Sequence, residues 1–150
     1  MEYMQSWIDH CARPRHFSQP PDESLPSAEG HKPSCGDHVK IWLDTRDGIV
    51  HTGWFQGESC AICKASADMA IDNLQGMTVE QAADSCEAFL AYMEADGDVP
   101  DLMEVGDCYE FHCLLRQMPS RVKCATLPWT AIQKILQDKC RKSGDSGQNS

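Results

Sequence analysis

Three stretches of the chain place sulfur and carboxylate side chains at spacings that suit metal binding or thiol chemistry. Cys60 and Cys63 form a C-x-x-C within GESCAICKAS (57–66), after an apolar alternating run and before an alanine-rich one. A C-x-x-C at a strand-to-helix junction has two readings, a thioredoxin-like redox pair or half of a metal site. Cys35 and Asp37 stand two apart in KPSCGD (32–37). On an extended segment their side chains point the same way, and Gly36 between them lets another backbone come close. Cys124 lies in RVKCATLPW (121–129), just before a predicted helix. A helix N-terminus favours thiolate, which suits both Cys60 and Cys124 as ligands or sulfur nucleophiles.

The elements around these residues decide whether they can meet. DHVKIWLD alternates, with Val39, Ile41 and Leu43 on one side, and IVHTGWFQ is a second β-branched and aromatic run. The intervening TRDG predicts a hairpin turned at Asp47-Gly48 or a neighbouring pair. Residues opposed across such a hairpin have numbers summing to about 95, which sets Cys35 opposite Cys60 and Asp37 opposite Glu58. Ala67, Ala70, Ile71 and Leu74 then fall at helical spacing, and Gly76 ends that helix. Thr78 with Gln81 reads as a capping box for a following helix whose stripe is Ala82, Cys86, Phe89, Leu90 and Met93. A last helix carries Ala131, Ile132, Ile135 and Leu136, and Pro128 predicts that it begins no earlier than about Ala125. Residues 3–12 read as a short helix, 16–34 as a Pro/Ser-rich connector without a period, and about 108–117 as a further short helix. The expected fold class is α+β, a small antiparallel sheet with helices packed on one face. One domain over 1–140 and a disordered polar tail over 141–150 are expected. If the last helix packs against the mouth of the hairpin, three cysteines and an aspartate converge. Such a set is compatible with tetrahedral zinc or with the iron of an iron–sulfur cluster.

Composition narrows the function classes. The 150 residues carry 23 acidic and 13 basic side chains, a net charge of −10. That balance argues against nucleic acid and against an anionic membrane surface, both of which need clustered cations. No apolar run approaches the roughly 20 residues of a membrane span, and the mixed, charged start lacks the apolar core of a signal peptide. A cytoplasmic protein is expected. There, nine cysteines point to metal or thiol chemistry rather than to a disulfide framework.

KPSCGD, GESCAICKAS and RVKCATLPW together resemble, in order, the three cysteine boxes of the IscU/NifU N-terminal family of iron–sulfur cluster assembly proteins. IDHCARPRH (8–16) is similar to the family's N-terminal stretch, so the likeness spans residues 3 to about 138. It implies a NifU/IscU-like sheet of about three strands. Lys123 stands where IscU-type scaffolds have a histidine, and the segment between the second and third boxes is long. Both features are similar to the SufU subtype. The resemblance implies a zinc site on Cys35, Asp37, Cys60 and Cys124. It implies a sulfurtransferase that accepts persulfide sulfur on Cys35 from a pyridoxal-phosphate-dependent, SufS-like cysteine desulfurase and passes it to the cluster assembly machinery. It implies that zinc moves onto a histidine of the desulfurase, and that Arg121 supports the released Cys124. The rival on the same ligands is a non-enzymatic scaffold holding iron or a transient 2Fe-2S cluster. Three positions depart from the family pattern: Lys32 for asparagine, Ser59 for glycine and Cys63 for serine.

The remaining thiols and imidazoles receive blander roles. Cys63 lies one helical turn beyond Cys60; a further ligand and a resolving thiol are open to it, but a small buried residue is the expected one. Cys86 sits on an apolar stripe and reads as core, and Cys108, His112 and Cys113 read as core or surface. Cys11 and Cys140 receive no role, and His10 belongs to the N-terminal stretch. His16, His31, His38 and His51 are expected at the surface. Two other function classes are carried: a thiol–disulfide oxidoreductase using Cys60 and Cys63, which needs a βαβ sheet, and a zinc-stabilised interaction module without catalysis.

Overall fold

The computed structural model describes residues 13–32, 36–94 and 119–149, and within these not the side chains of 32, 92, 94, 119–121 and 140–149. The helices expected at 3–12 and 108–117, and Cys11, Cys35, Cys108, His112 and Cys113, lie outside the described residues. Three strands form one antiparallel sheet in the order β1 (Ser27–Lys32), β2 (Asp37–Arg46), β3 (Ile49–Gln56). Three helices follow, α1 (Ala61–Leu74), α2 (Val79–Glu94) and α3 (Pro119–Asn149). Among the described residues no helix is long and apolar enough to cross a membrane.

The hairpin turns as its sequence dictates. Asp47 and Gly48 both have positive φ, 54° and 75°, which a two-residue turn matching the sheet twist requires. Arg46 pairs with Ile49 and Thr45 with Val50. A bulge between Asp44 and Thr45 then slips the register by one, so Asp44 faces Thr52 and Lys40 faces Gln56. The slip changes the far end of the hairpin. His38, rather than Asp37, meets Glu58, its N–H donating to the Glu58 carbonyl at 2.8 Å.

β1 is where the structure departs most from the sequence pattern. SAEGHK has no β-branched residue, yet it pairs with β2 from Ser27↔Trp42 to Lys32↔Asp37. The pairing is sustained by backbone hydrogen bonds and by packing against α3. Gly30 sits so close to Leu127 that a Cβ there would lie 2.9 Å from its Cγ.

Val39, Ile41 and Leu43 point to the core, at 1, 0 and 0 % exposure. The predicted stripe of α1 (Ala67, Ala70, Ile71, Leu74) is fully buried. The Thr78–Gln81 capping box forms reciprocally, at 3.0 and 3.1 Å. Cys86 and Phe89 of α2 are buried, and Phe89 stacks on Trp129 of α3 with centroids 4.2 Å apart.

α3 corrects two expectations. It begins at Pro119, not near Ala125, and carries Pro128 in its interior. Pro128 has no N–H for the Cys124 carbonyl; beside this gap the Ser66 hydroxyl donates to the Ala125 carbonyl at 2.6 Å and the Thr130 hydroxyl to the Thr126 carbonyl at 3.0 Å. The backbone of α3 runs helical to Asn149.

His16 is a third correction, buried at 9 % exposure rather than at the surface. Its Nε2 lies 2.7 Å from Asp72 Oδ1, its N–H donates to Asp68 Oδ1 at 2.8 Å, and its carbonyl accepts from Phe55 at 2.8 Å. The segment before β1 is thereby fastened between α1 and β3.

Gly57 is the residue that the hairpin-to-helix passage least tolerates changing. It has φ +130° and abuts the backbone of His38, so that a Cβ would collide with the His38 carbonyl. Gly57→Ala is expected to destabilise the fold by about 3 kcal/mol, because strain and overlap add. Gly48→Ala, in open space at φ +75°, should cost only about 1 kcal/mol. Urea unfolding of the two variants checks the order, and equal losses would refute it.

Candidate metal centre

The site forms where the open end of the hairpin meets the start of α1 and an interior turn of α3. Asp37 is the first residue of β2, 3 % exposed. A carboxylate so buried must find donors, and the start of α1 supplies them. The backbone N–H of Cys60 donates to Asp37 Oδ1 at 3.0 Å, and the Cys60 thiol donates to Oδ2 at 3.7 Å.

Cys60 is the N-cap of α1, with φ −72° and ψ 167°. Its sulfur accepts from the backbone N–H of Cys63 at 3.4 Å, the position a serine or aspartate oxygen takes at other helix starts. Ser59 has no positive φ, so serine fits there without strain and the departure at this position is harmless to the loop. Gly57 carries the unusual conformation instead.

Cys124 reaches the site from α3. It is 1 % exposed and lies six residues into the helix, not ahead of it. Cys60 thus stands at a helix start as the sequence predicts, and Cys124 does not. Burial pushes the Cys124 thiol up to about 12, with hydrogen bonding to Asp37 and the nearness of Cys60 adding to the effect. Without an ion, Cys124 is a neutral thiol held against a carboxylate.

One ligand atom from each of Asp37, Cys60 and Cys124 lies within 4.8 Å of the other two. Sulfurs sharing a tetrahedral zinc stand about 3.8 Å apart, given a Zn–S distance of about 2.3 Å. The donor set of one carboxylate and two thiols is borderline-soft and fits zinc or iron. Among the described residues this is the group of His, Cys, Asp and Glu that could hold a metal ion.

Cys63 is fully buried in the core, and burial raises its thiol to about 12 despite a hydrogen bond with Ser59. It behaves as the small apolar residue expected, and is not part of the convergent group. Cys86 is likewise buried and raised to about 12. Lys123 is exposed beside buried Cys124. The backbone of Arg121 is helical, but its side chain, like Cys35, is outside the description.

One participant was not singled out in the sequence. Ser66, on α1, is fully buried. It donates to the Ala125 carbonyl at 2.6 Å and accepts from Trp129 Nε1 at 3.1 Å. A lone hydroxyl on an alanine-rich face, with a tryptophan N–H elsewhere in need of an acceptor, was the available signal.

Residues 2–101 match the NifU-like N terminal domain family. The zinc-dependent sulfurtransferase SufU of Bacillus subtilis (strain 168) is 30% identical over 88% of this chain and 87% of its own. The iron–sulfur cluster assembly scaffold protein IscU of Streptococcus pyogenes serotype M1 is 26% identical over 98% and 90%. In fold, the chain is similar to a Fervidobacterium islandicum protein described as an iron–sulfur cluster assembly scaffold for the SUF system. That likeness has a TM-score of 0.77 and 23% identity, covering 88% of this chain and 94% of the other. A NifU-like N-terminal structure from Brucella abortus gives a TM-score of 0.74 at 20% identity, covering 89% and 90%.

The raised Cys124 thiol has two consequences. In the metal-free chain its folded value exceeds the ordinary 9.0, so the stability it contributes is full below pH 9 and is lost as pH rises toward 12. An ion held on this sulfur would have to displace its proton, so any metal affinity of the site should rise about tenfold per pH unit for each proton released. Chelator competition between pH 6.5 and 8.5 measures the slope, and a pH-independent affinity would exclude thiolate ligation.

Proposed function

Because the chain belongs to the NifU-like N-terminal domain family, we propose that it serves iron–sulfur cluster assembly as a zinc-dependent sulfur acceptor. The observation that carries this reading is the convergence of buried Asp37 and Cys124 with half-buried Cys60. Cys35, two residues before Asp37, completes the ligand set. A zinc ion on these four residues would keep the thiolates deprotonated and shielded from oxidation.

The donor is a pyridoxal-phosphate-dependent cysteine desulfurase of the SufS type, acting in the reducing cytoplasm. Cys35 thiolate attacks the terminal sulfur of the donor's persulfide. The donor S–S bond breaks, its cysteine leaves as thiolate, and Cys35 carries the sulfane sulfur onward. Asp37 holds Cys60 through its N–H, so that the rest of the site stays assembled while Cys35 reacts. Arg121, three residues before Cys124, supports the Cys124 thiolate.

Exposed Lys123 favours this reading over a scaffold that would use a histidine before its third cysteine. The scaffold reading, a transient 2Fe-2S cluster on the same residues, draws on the IscU relatives and shares every ligand. A thioredoxin-like exchange at Cys60 and Cys63 finds no support, since Cys63 is buried and raised and the sheet is antiparallel.

Protein purified without oxygen should contain about one zinc per chain. It should stimulate the turnover of a SufS-type desulfurase, and Cys35→Ala should return turnover to that of the desulfurase alone. A brown protein with cluster absorption and no effect on turnover would favour the scaffold instead.

A further inference from the structure

Asp37 and Cys60 are joined directly, but Cys124 must be held from a different helix. The described connection between the two helices at this level is polar and fully buried. Ser66 stands on the same face of α1 as Cys63 and Ala67, both fully buried. Its hydroxyl donates to the carbonyl of Ala125, the residue next to Cys124, at 2.6 Å. The same oxygen accepts from Trp129 Nε1 at 3.1 Å. One hydroxyl thus ties α1 to two residues of α3, on either side of Pro128.

The location explains why the tie is needed. Pro128 supplies no N–H to the carbonyl of Cys124. The turn that carries the ligand is short of ladder bonds, and a helix can swing at such a point. Trp129 is clamped from its other face by the stack on Phe89. The indole therefore fixes where Ser66 sits as much as Ser66 fixes where α3 sits. Ser66 and Cys60 belong to one rigid helix, so distance errors at Ser66 appear at the sulfurs.

We propose that Ser66, with Trp129 Nε1, is a positioning residue of the metal centre that sets the separation of Cys60 from Cys124 across the proline break in α3. The proposal rests on the reading of Asp37, Cys60 and Cys124 as ligands, but the position of the sulfurs can be read without an ion.

Four variants test it: Ser66→Ala, Ser66→Thr, Trp129→Phe, which keeps an aromatic ring on Phe89, and Val50→Ala, which loosens the core at the turn end of the hairpin, away from the tie. Zinc release to a chelator is measured beside urea stability. Ser66→Ala and Trp129→Phe should each weaken zinc binding about tenfold or more, the usual effect of outer-shell changes. Val50→Ala should be destabilised yet retain zinc as the parent chain does. In metal-free protein, oxidised glutathione takes two electrons from the Cys60 and Cys124 thiols. It becomes two glutathione thiols, and the protein gains an S–S bond. The rate of that bond, followed by peptide mass mapping, should fall about tenfold in Ser66→Ala, since effective molarity falls steeply with misplacement. Ser66→Thr, which restores the hydroxyl, should recover part of both losses. Zinc release that merely tracks stability across all variants overturns the proposal, as does an unchanged Cys60–Cys124 oxidation rate. If the parent chain holds no zinc but Ser66→Ala still slows the oxidation, the metal reading fails and the positioning role stands.

Discussion

A buried carboxylate organises the molecule. Asp37 begins β2 and, out of reach of water, takes its donors from the first residue of the passage into α1. Leaving such a carboxylate unpaired would cost several kcal/mol. The β3-to-α1 connection is therefore held in one conformation. Gly57 makes that conformation possible by bringing its backbone against His38. The one-residue bulge at Asp44/Thr45 decides which residue arrives, because without it the hairpin would end in a different register.

Much of this was legible. The Asp47-Gly48 turn is written in residues that tolerate positive φ, the capping box in two side chains three apart, and the helix faces in apolar spacing. Each is a local rule satisfied within a few residues. What was not legible depends on distant partners. SAEGHK becomes a strand because β2 has a free edge and Leu127 needs a small neighbour, not because its own residues prefer to be extended. His16 is buried because Asp68 and Asp72, a turn apart on α1, receive it.

The site shows the same division. Cys60 as a helix cap was readable from its place between strand and helix. Cys124 was readable as a member of the constellation, but its environment was not. Pro128 suggested a helix starting later, so the thiol seemed to face a helix N-terminus. Within the helix it instead meets burial and a carboxylate, and both keep its proton on. Ser66 was invisible for a related reason. A serine on an alanine-rich face means little until the carbonyl it reaches is known.

The order in which the chain emerges gives the Asp37–Cys60 contact a temporal meaning. Its partners are 23 residues apart and belong to a hairpin and the helix directly after it, an arrangement of short sequence separation that forms early. Cys124 sits far downstream and arrives only when α3 docks. During synthesis, when the N-terminal portion folds first, the nascent protein passes through a stage in which the Asp37–Cys60 pair has formed and Cys124 has yet to cover it. Docking of α3 ends that stage. The incomplete site is thus confined to a window in the life of each molecule, set by the length of chain between Cys60 and Cys124.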